Sequence, residues 1–543
     1  MKYTIKNNNI GINNNIRISL LIPILFITLS GKIAFQKVFA AEPKDIPNTL
    51  GDNPSESNSL FIESRSTDNK DNNNLNNSNL DNNLNTNNNL LSEPENISNY
   101  IKNLTTNNIE GKLIKSIKIR FVNSKGSTKD KKGQIISGKS QKSLILDNIQ
   151  LKQGDYFNQK ILAKDLRRLQ RIEAFGTVKV AVDENIDGIN ITYDIKENRY
   201  PSLRFGGGSN DDIGIYGQVG YKDANLNGNG KKIDGEVQIS GKDVQFESEF
   251  LSPYRIGKPN NLGYKISAYR KRDFSNTFSE DIRLPDGSRV RQGEFGVSAA
   301  LLRTYNNWGG ALSLNYTRIS SRDGDFKVAT VDSAGSPLSA SGTGIDDLYT
   351  VSLNLTQDNR NRNEYPNQGS LLQLSTEQAI PIGLGKISSN RLRANYIQYV
   401  PVSFISNGGY RKNPEMLAFN LQAGTIIGRF PPANAFNIGG INSVRGYEGD
   451  ELASARSYGL ASVEYRFPVH KLVGAVIFAD FASDFGSSDT VIGEPGVRRE
   501  KPGDGFGYGL GLRVRSPFGL IRGDFGVSDR GETRFEITTG QKF

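Results

Sequence analysis

An all-β transmembrane barrel of sixteen antiparallel strands, preceded by one small α/β domain, is the architecture this sequence predicts. Three observations carry it. An export-type N-terminus is followed by no apolar stretch of the ~20 residues that a spanning helix needs. From Pro201 to Phe543 sixteen strand patterns recur, at about 21 residues per strand and connection. Long connections and tight turns fall on opposite ends of those strands, the pattern of an outer-membrane sheet.

Composition narrows the chemistry first. The chain has 543 residues and no cysteine, which excludes disulfides, thiolate metal sites and cysteine nucleophiles. Its one histidine, His470, argues against a histidine metal site or a Ser-His-Asp triad. The formal charge is +10. No aromatic-interleaved basic stripe accompanies it, so solvated loops and lysine-rich segments account for it better than nucleic-acid binding. No enzyme, metal or cofactor is expected.

In the expected signal segment, residues 1–41, Lys2, Lys6 and Arg17 precede the apolar stretch from Ile18 to Leu29, and Val38, Phe39 and Ala40 offer a small-residue cleavage site. Residues 42–111 read as an asparagine-rich disordered linker, too poor in large apolar side chains to offset ordering entropy.

Residues 112–198 read as the α/β domain. Ile114, Ile117, Ile119 and Phe121 mark a strand. Asn158 is a fair helix N-cap, and Leu162, Leu166, Leu169 and Ile172 follow at helical spacing. Gly176 is expected to end that helix. Val178 to Val182 and Ile189 to Ile195 alternate at period two and join through Asp187-Gly188 as a hairpin. One helix and three strands are expected.

From residue 201 to 543 helical periodicity vanishes. Strands are expected to begin near Leu203, Ile213, Lys232, Val244, Leu262, Glu294, Trp308 and Leu348. The second eight begin near Ser370, Arg391, Leu417, Tyr458, Val473, Phe506, Gly519 and Arg534. In the fourteenth, Phe506, Tyr508, Leu510, Leu512 and Val514 share one face; Gly505, Gly507, Gly509, Gly511 and Arg513 share the other. A soluble sandwich also alternates. Long connections after strands 5, 7, 11 and 13, against tight ones after 6, 12 and 14, favour the membrane barrel. The last strand is expected to end on aromatics, with Phe535 and Phe543.

The connection between strands 11 and 12 is glycine-rich and contains Val444-Arg445-Gly446-Tyr447. Inward parity on the next strands offers Glu464 and Asp480. An arginine fork in a confined polar lumen can bind a carboxylate in two places. Spacing alone serves an arginine on a solvated loop equally well. Gly206-Gly207-Gly208 precede no helix, so phosphate capture at a helix N-terminus is unavailable there. Asp211-Asp212 and Asp346-Asp347 give no catalytic geometry.

These residues resemble a known family. Gly439 to Tyr447, with its Val-Arg-Gly-Tyr core, is similar to the sixth extracellular loop of the BamA-type surface-antigen superfamily, which includes the chloroplast Toc import channel and the two-partner secretion transporters. Asp358 and Arg360, followed by Pro366 and Gly369, resemble its strand 8–9 motif. Phe478-Ala479-Asp480 resembles its strand 13 motif, and Gly509 to Arg513 its strand 14–15 motif. Phe535, Gly540 and Phe543 resemble its C-terminal strand, and residues 112–198 resemble a POTRA domain.

The resemblance implies that Arg445 folds into the lumen and meets Asp480, with Glu464 as a second partner. It implies a weak seam between the first and last strands. It places the barrel in an outer membrane, of a diderm bacterium or a plastid-type envelope, with the POTRA-like unit in the periplasm. The implied partners are unfolded outer-membrane or secreted polypeptides, outer-membrane lipids and accessory lipoproteins. The expected role is insertion of β-barrel precursors; a polypeptide-translocating pore and a passive diffusion porin are the alternatives. Assembly factors of this kind usually carry several POTRA units, whereas only one is legible here.

Overall fold

The computed structural model describes residues 109–543, apart from 211–212, 280, 306–307, 362–364, 406–414, 471, 497–498 and 517–518. The expected export signal, nearly all of the asparagine-rich segment, Asp211-Asp212 and, from the tight connections expected after strands 12 and 14, Lys471, Pro517 and Phe518 lie outside the described residues.

The N-terminal module comprises β1 (Ile114–Phe121), α1 (Lys142–Leu146), α2 (Gln159–Gln170), β2 (Phe175–Asn185) and β3 (Gly188–Glu197). Its sheet has the order β1-β3-β2, with β1 parallel and β2 antiparallel to β3. The Asn158 side chain caps α2 by accepting from the Ile161 N–H. Leu162, Leu166 and Leu169 are fully buried and belong to one core with Val178, Val180, Ile191 and Tyr193. The 3.6-residue spacing of the leucines thus meets the two-residue spacing of the strands.

Two expectations about this module are corrected. The helix ends at Gln170, and Gly176 lies inside β2. The short helix α1 was not foreseen. It spans five residues, too few for periodicity to register, and buries only Leu144 and Ile145. The following segment is tied to α2 by Asp165, which accepts from the Gln150 and Leu151 N–H groups and from Arg168 Nη1 at 2.7–3.0 Å.

The remaining chain forms a sixteen-stranded antiparallel sheet. Its first eight strands are β4 (Ser202–Asn210), β5 (Gly214–Leu226), β6 (Lys231–Ser240), β7 (Val244–Ser252), β8 (Gly263–Phe274), β9 (Arg291–Tyr305), β10 (Trp308–Arg322) and β11 (Ile345–Asp358). Then come β12 (Gly369–Ile380), β13 (Ser388–Pro401), β14 (Met416–Arg429), β17 (Ser457–His470), β18 (Val473–Ser483), β19 (Asp504–Ser516), β20 (Gly519–Ser528) and β21 (Thr533–Thr539). A two-stranded ribbon, β15 (Phe436–Ile438) and β16 (Ala453–Ala455), sits within the β14–β17 connection. Each of the sixteen expected strands corresponds to one observed strand. The ladder ends on β4 and β21.

Alternation assigns the two faces. Ile266, Leu301, Leu314, Leu421, Ile477, Leu510 and Ile537 are exposed on the outer face, each at least 49% accessible. An apolar surface that continues over so many strands exceeds what a water-soluble monomer presents. No described helix is long and apolar enough to cross a membrane; the strands supply the apolar surface.

The N-terminal module meets the turns at one end of the sheet. The Gln141 N–H donates to the Gly228 carbonyl in the β5–β6 turn at 2.7 Å, and Asp147 pairs with Lys258 and Arg255 of the β7–β8 turn at 2.9 and 3.3 Å. The long connections converge at the opposite end. Phe278, Ile282, Leu284 and Val290 of the β8–β9 loop pack with Leu338 of the β10–β11 loop. The Lys501 ammonium of the β18–β19 loop donates to the carbonyls of Asn276 and Asp450 and to Ser454 Oγ, at 2.8–3.0 Å. Loops from strands eight positions apart in the ladder therefore touch, so the sheet curls around a lumen.

Candidate functional site: an inward loop locked by buried charges

The β14–β17 connection turns back into the lumen. Ile438, Val444, Tyr447, Leu452, Ala453 and Ala455 are buried and form a small core with Tyr458, Leu460 and Ala482 of the wall. Gly446 sits at φ +99°, and a Cβ there would stand 2.7 Å from the Ser528 N–H nitrogen. Glycine is needed on both counts, for the left-handed backbone and for the close approach to β20.

That approach delivers Arg445 into the wall. Its side chain is 1% exposed. Nε and Nη2 donate to the two oxygens of Asp480 at 2.7 and 3.0 Å, a bidentate fork. Nη1 donates to Glu464 at 2.6 Å and to Asp524 at 3.3 Å. The Arg445 main-chain N–H adds a bond to Asp480 at 3.2 Å, and the guanidinium carbon lies 3.5 Å from the centre of the Phe478 ring. The structure thus brings Arg445 together with both acids singled out in the sequence, and with a third.

Further cations complete the network. Arg466 donates to Glu464 at 2.7 Å and Arg513 to Asp524 at 2.5 Å. Lys542 Nζ donates to Asp480 at 2.6 Å, to Ser462 Oγ at 3.0 Å and to the Ser443 carbonyl of the loop at 2.5 Å. Arg522 holds Asn442 of the loop at 2.9 Å. Buried charges are tolerated only when paired and hydrogen-bonded in this way, and removing one partner of such a set costs about 3–5 kcal/mol.

The glycine face of β19 has a packing reason. A Cβ on Gly507 would overlap the Arg445 carbonyl oxygen, and one on Gly511 would overlap Asp524. The missing side chains form the trough in which the loop and its acid lie. Tyr447 reaches Asp529 through its hydroxyl. Burial, reinforced by that bond, pushes the Tyr447 hydroxyl above its ordinary range.

The other singled-out residues take separate places. Arg360 closes a bidentate pair on Asp358, with both bonds at 2.8 Å, in the β11–β12 connection. Pro366 is buried in that same connection, and Gly369 opens β12 at φ +99°. None of these four touches Arg445. Phe535 faces outward, 66% exposed. The expectation that the last strand runs to Phe543 is corrected. β21 ends at Thr539, and Gly540 at φ +84° turns the chain off the ladder. Lys542 then enters the network, and the Phe543 ring stacks 5.0 Å from Arg466.

Asp524, Lys542 and Arg522 were not picked out from the sequence. Parity was available as a signal, since Arg522, Asp524 and Gly526 alternate with Ile521, Gly523 and Phe525. Lys542 gave none, because its position depends on the turn at Gly540.

Comparison with known proteins fits this geometry. Residues 225–543 match the Omp85 superfamily domain, and residues 131–198 match the surface antigen variable number repeat of POTRA type. The chain belongs to the Omp85 superfamily and is an outer-membrane β-barrel protein with a POTRA domain. It is 29% identical to chloroplastic outer envelope protein 80 of Arabidopsis thaliana over 440 residues, 79% of this chain and 57% of that protein. It is 25% identical to protein TOC75-3 of the same plant over 438 residues, 74% of this chain and 53% of the relative. The chain therefore spans little more than half the length of these relatives. Among solved structures it resembles BamA from Haemophilus ducreyi lacking POTRA domains 1–3, with a TM-score of 0.51, 16% identity and coverage of 79% and 84% of the two chains; the likeness is one of fold.

Proposed function

We propose that the protein inserts β-barrel precursors into the outer membrane. The observation that carries this reading is an occupied lumen between accessible ladder ends. The inward loop is fastened to β17, β18 and β20 by buried ion pairs, and packed loops cover the far mouth. A polypeptide threading the lumen would have to break both. A strand added at β4 or β21 would break neither. Edge strands present unpaired N–H and C=O groups, a template for strand addition. Gly206, Gly207 and Gly208 weaken pairing along β4, and β21 is only seven residues long. The POTRA sheet offers β2 as a further edge for an unfolded client. Accessory lipoproteins would act from that side.

Depletion of the protein in its native envelope is the direct test. Other β-barrels should fall in amount while soluble periplasmic proteins hold steady. Normal barrel levels, with one secreted polypeptide retained behind the membrane, would overturn insertion in favour of translocation.

A further inference from the structure

A cavity of about 80 Å³ lies among the turns at the POTRA end of the sheet. Tyr365 and Pro366 of the β11–β12 connection and Leu472 of the β17–β18 turn form part of its lining, and Arg466, Arg513 and Arg515 supply its charge. Neighbouring strands run antiparallel, so these turns share an end with the β5–β6 and β7–β8 turns that meet the POTRA module. The volume is well above the ~10–15 Å³ that a single water needs. No aspartate or glutamate among the described residues lines it.

Each arginine has donor capacity that the protein leaves unused. Arg466 is 5% exposed; its Nε donates to Glu464 at 2.7 Å and its Nη2 to the Phe543 main-chain oxygen at 3.0 Å. Its Nη1 is buried without a hydrogen-bond partner. A charged donor buried in that way is costly unless something accepts from it. Arg513 engages Asp524 through Nη1 and Nη2, whereas its Nε reaches Gln541 Oε1 only at 3.4 Å, beyond the usual range. Glu464 and Asp524 both also receive Arg445, so neither arginine has a carboxylate to itself. Arg515 is exposed and lies 5.2 Å from the centre of the Tyr365 ring, with no ion pair among the described residues. Stacking uses the face of a guanidinium and leaves its edge for an oxyanion.

Gly474 helps to keep the space open. It lies on β18 between Pro468 of β17 and Arg513 of β19, and it lines the cavity. A Cβ there would meet only ordinary contacts, 3.5 Å to the Phe467 carbonyl oxygen and 3.8 Å to Arg513 Cβ. No close packing therefore demands glycine at this position; its missing side chain is room beside the arginines.

We propose that this cavity binds a phosphoryl group presented from the POTRA side of the membrane. Its donors come from β17 on one side and β19 on the other, with β18 between them. A tetrahedral oxyanion offers acceptors in several directions at once, whereas a carboxylate offers them in one plane. The site is separate from the ladder ends and the POTRA edge on which the insertion reading rests.

Full-length protein in a neutral, phosphate-free detergent can be titrated with inorganic phosphate, the line width of the phosphorus NMR signal reporting the bound fraction. Wild type should broaden the line saturably. Gly474→Val, which fills the cavity and removes no charge, should abolish the broadening. Arg515→Gln should weaken binding about tenfold, the worth of one charge-assisted hydrogen bond. Should Gly474→Val fail the heat-modifiability test of folding, Arg515→Gln carries the test, because that side chain is exposed and holds no partner in place. Lys131→Gln with Lys132→Gln, on the POTRA domain, is the control and should change nothing. Glycerol 3-phosphate then separates the two sources of the group. Displacement of phosphate by an equal concentration of the ester supports a phosphoryl group carried on a larger molecule, such as a lipid headgroup; retention of phosphate supports the free ion. An unbroadened line with wild type would overturn the proposal, as would undiminished binding in folded Gly474→Val or Arg515→Gln. Equal displacement by acetate would also overturn it, since the cavity would then be a general carboxylate site.

Discussion

At the scale of single residues, Arg445 and Gly507 make the same contact from opposite sides. Arg445→Ala leaves Glu464, Asp480 and Asp524 without their shared fork, at a cost of about 3–5 kcal/mol confined to the loop. The barrel should still show a heat-dependent shift on gels, because its ladder is untouched. The absence of native cysteine makes the loop measurable. Cysteines introduced at Arg445 and Asp480, joined by a short bifunctional reagent, should crosslink in the folded protein; an intact barrel that does not crosslink would refute the inward loop. With cysteines placed instead at Ser443 and Ser462, which share Lys542 as a hydrogen-bond donor, adding Gly507→Ala should cut the yield severalfold. Its methyl group would occupy the space of the Arg445 carbonyl oxygen. Arg445→Lys is no substitute, because an ammonium cannot span two carboxylates as a planar fork does.

At the scale of elements, the inward loop is connected both to the terminal strand and to the outer cap. Lys542 ties the chain beyond β21 to Asp480 and to the loop carbonyl of Ser443. Lys542→Met should therefore loosen the edge, at about 1–3 kcal/mol for the bonds lost. Faster hydrogen exchange over Thr533–Thr539, with the other strands unchanged, is the expected result; unchanged exchange would show that the edge is held by β20 alone. The cap has a different dependence. Burial pushes the Lys501 ammonium down to about 8. A base held below its unfolded value stabilises the fold fully only above the unfolded lysine range, near ~10.4. That contribution is lost as pH falls through about 8. The cap should tighten as pH rises from ~7 to ~10, read as slower proteolysis of the β18–β19 loop relative to an unfolded substrate. Lys501→Met should abolish the trend.

At the scale of the whole molecule, the sixteen strands were legible because alternation is local, and each strand writes its own period of two. The POTRA core was legible for the same reason, since Leu162, Leu166 and Leu169 declare a helix face without any partner. The short helix α1 and the end of α2 were not, because five residues carry too little period and a strand glycine imitates a helix stop. Arg445, Glu464 and Asp480 could be nominated from parity and from family resemblance, but parity says only which way a side chain points. That Asp524 completes the trio depends on the distance between β17 and β20, which have two strands between them in the ladder. That Lys542 joins it depends on the turn at Gly540. The sequence by itself determined the strands, their two faces and the membrane-facing surface, all consequences of interactions between near neighbours in the chain. The tertiary structure alone decided which charges meet in the lumen and which loops close the mouth. Those contacts join residues up to 225 positions apart, and nothing in the local pattern measures the space between them.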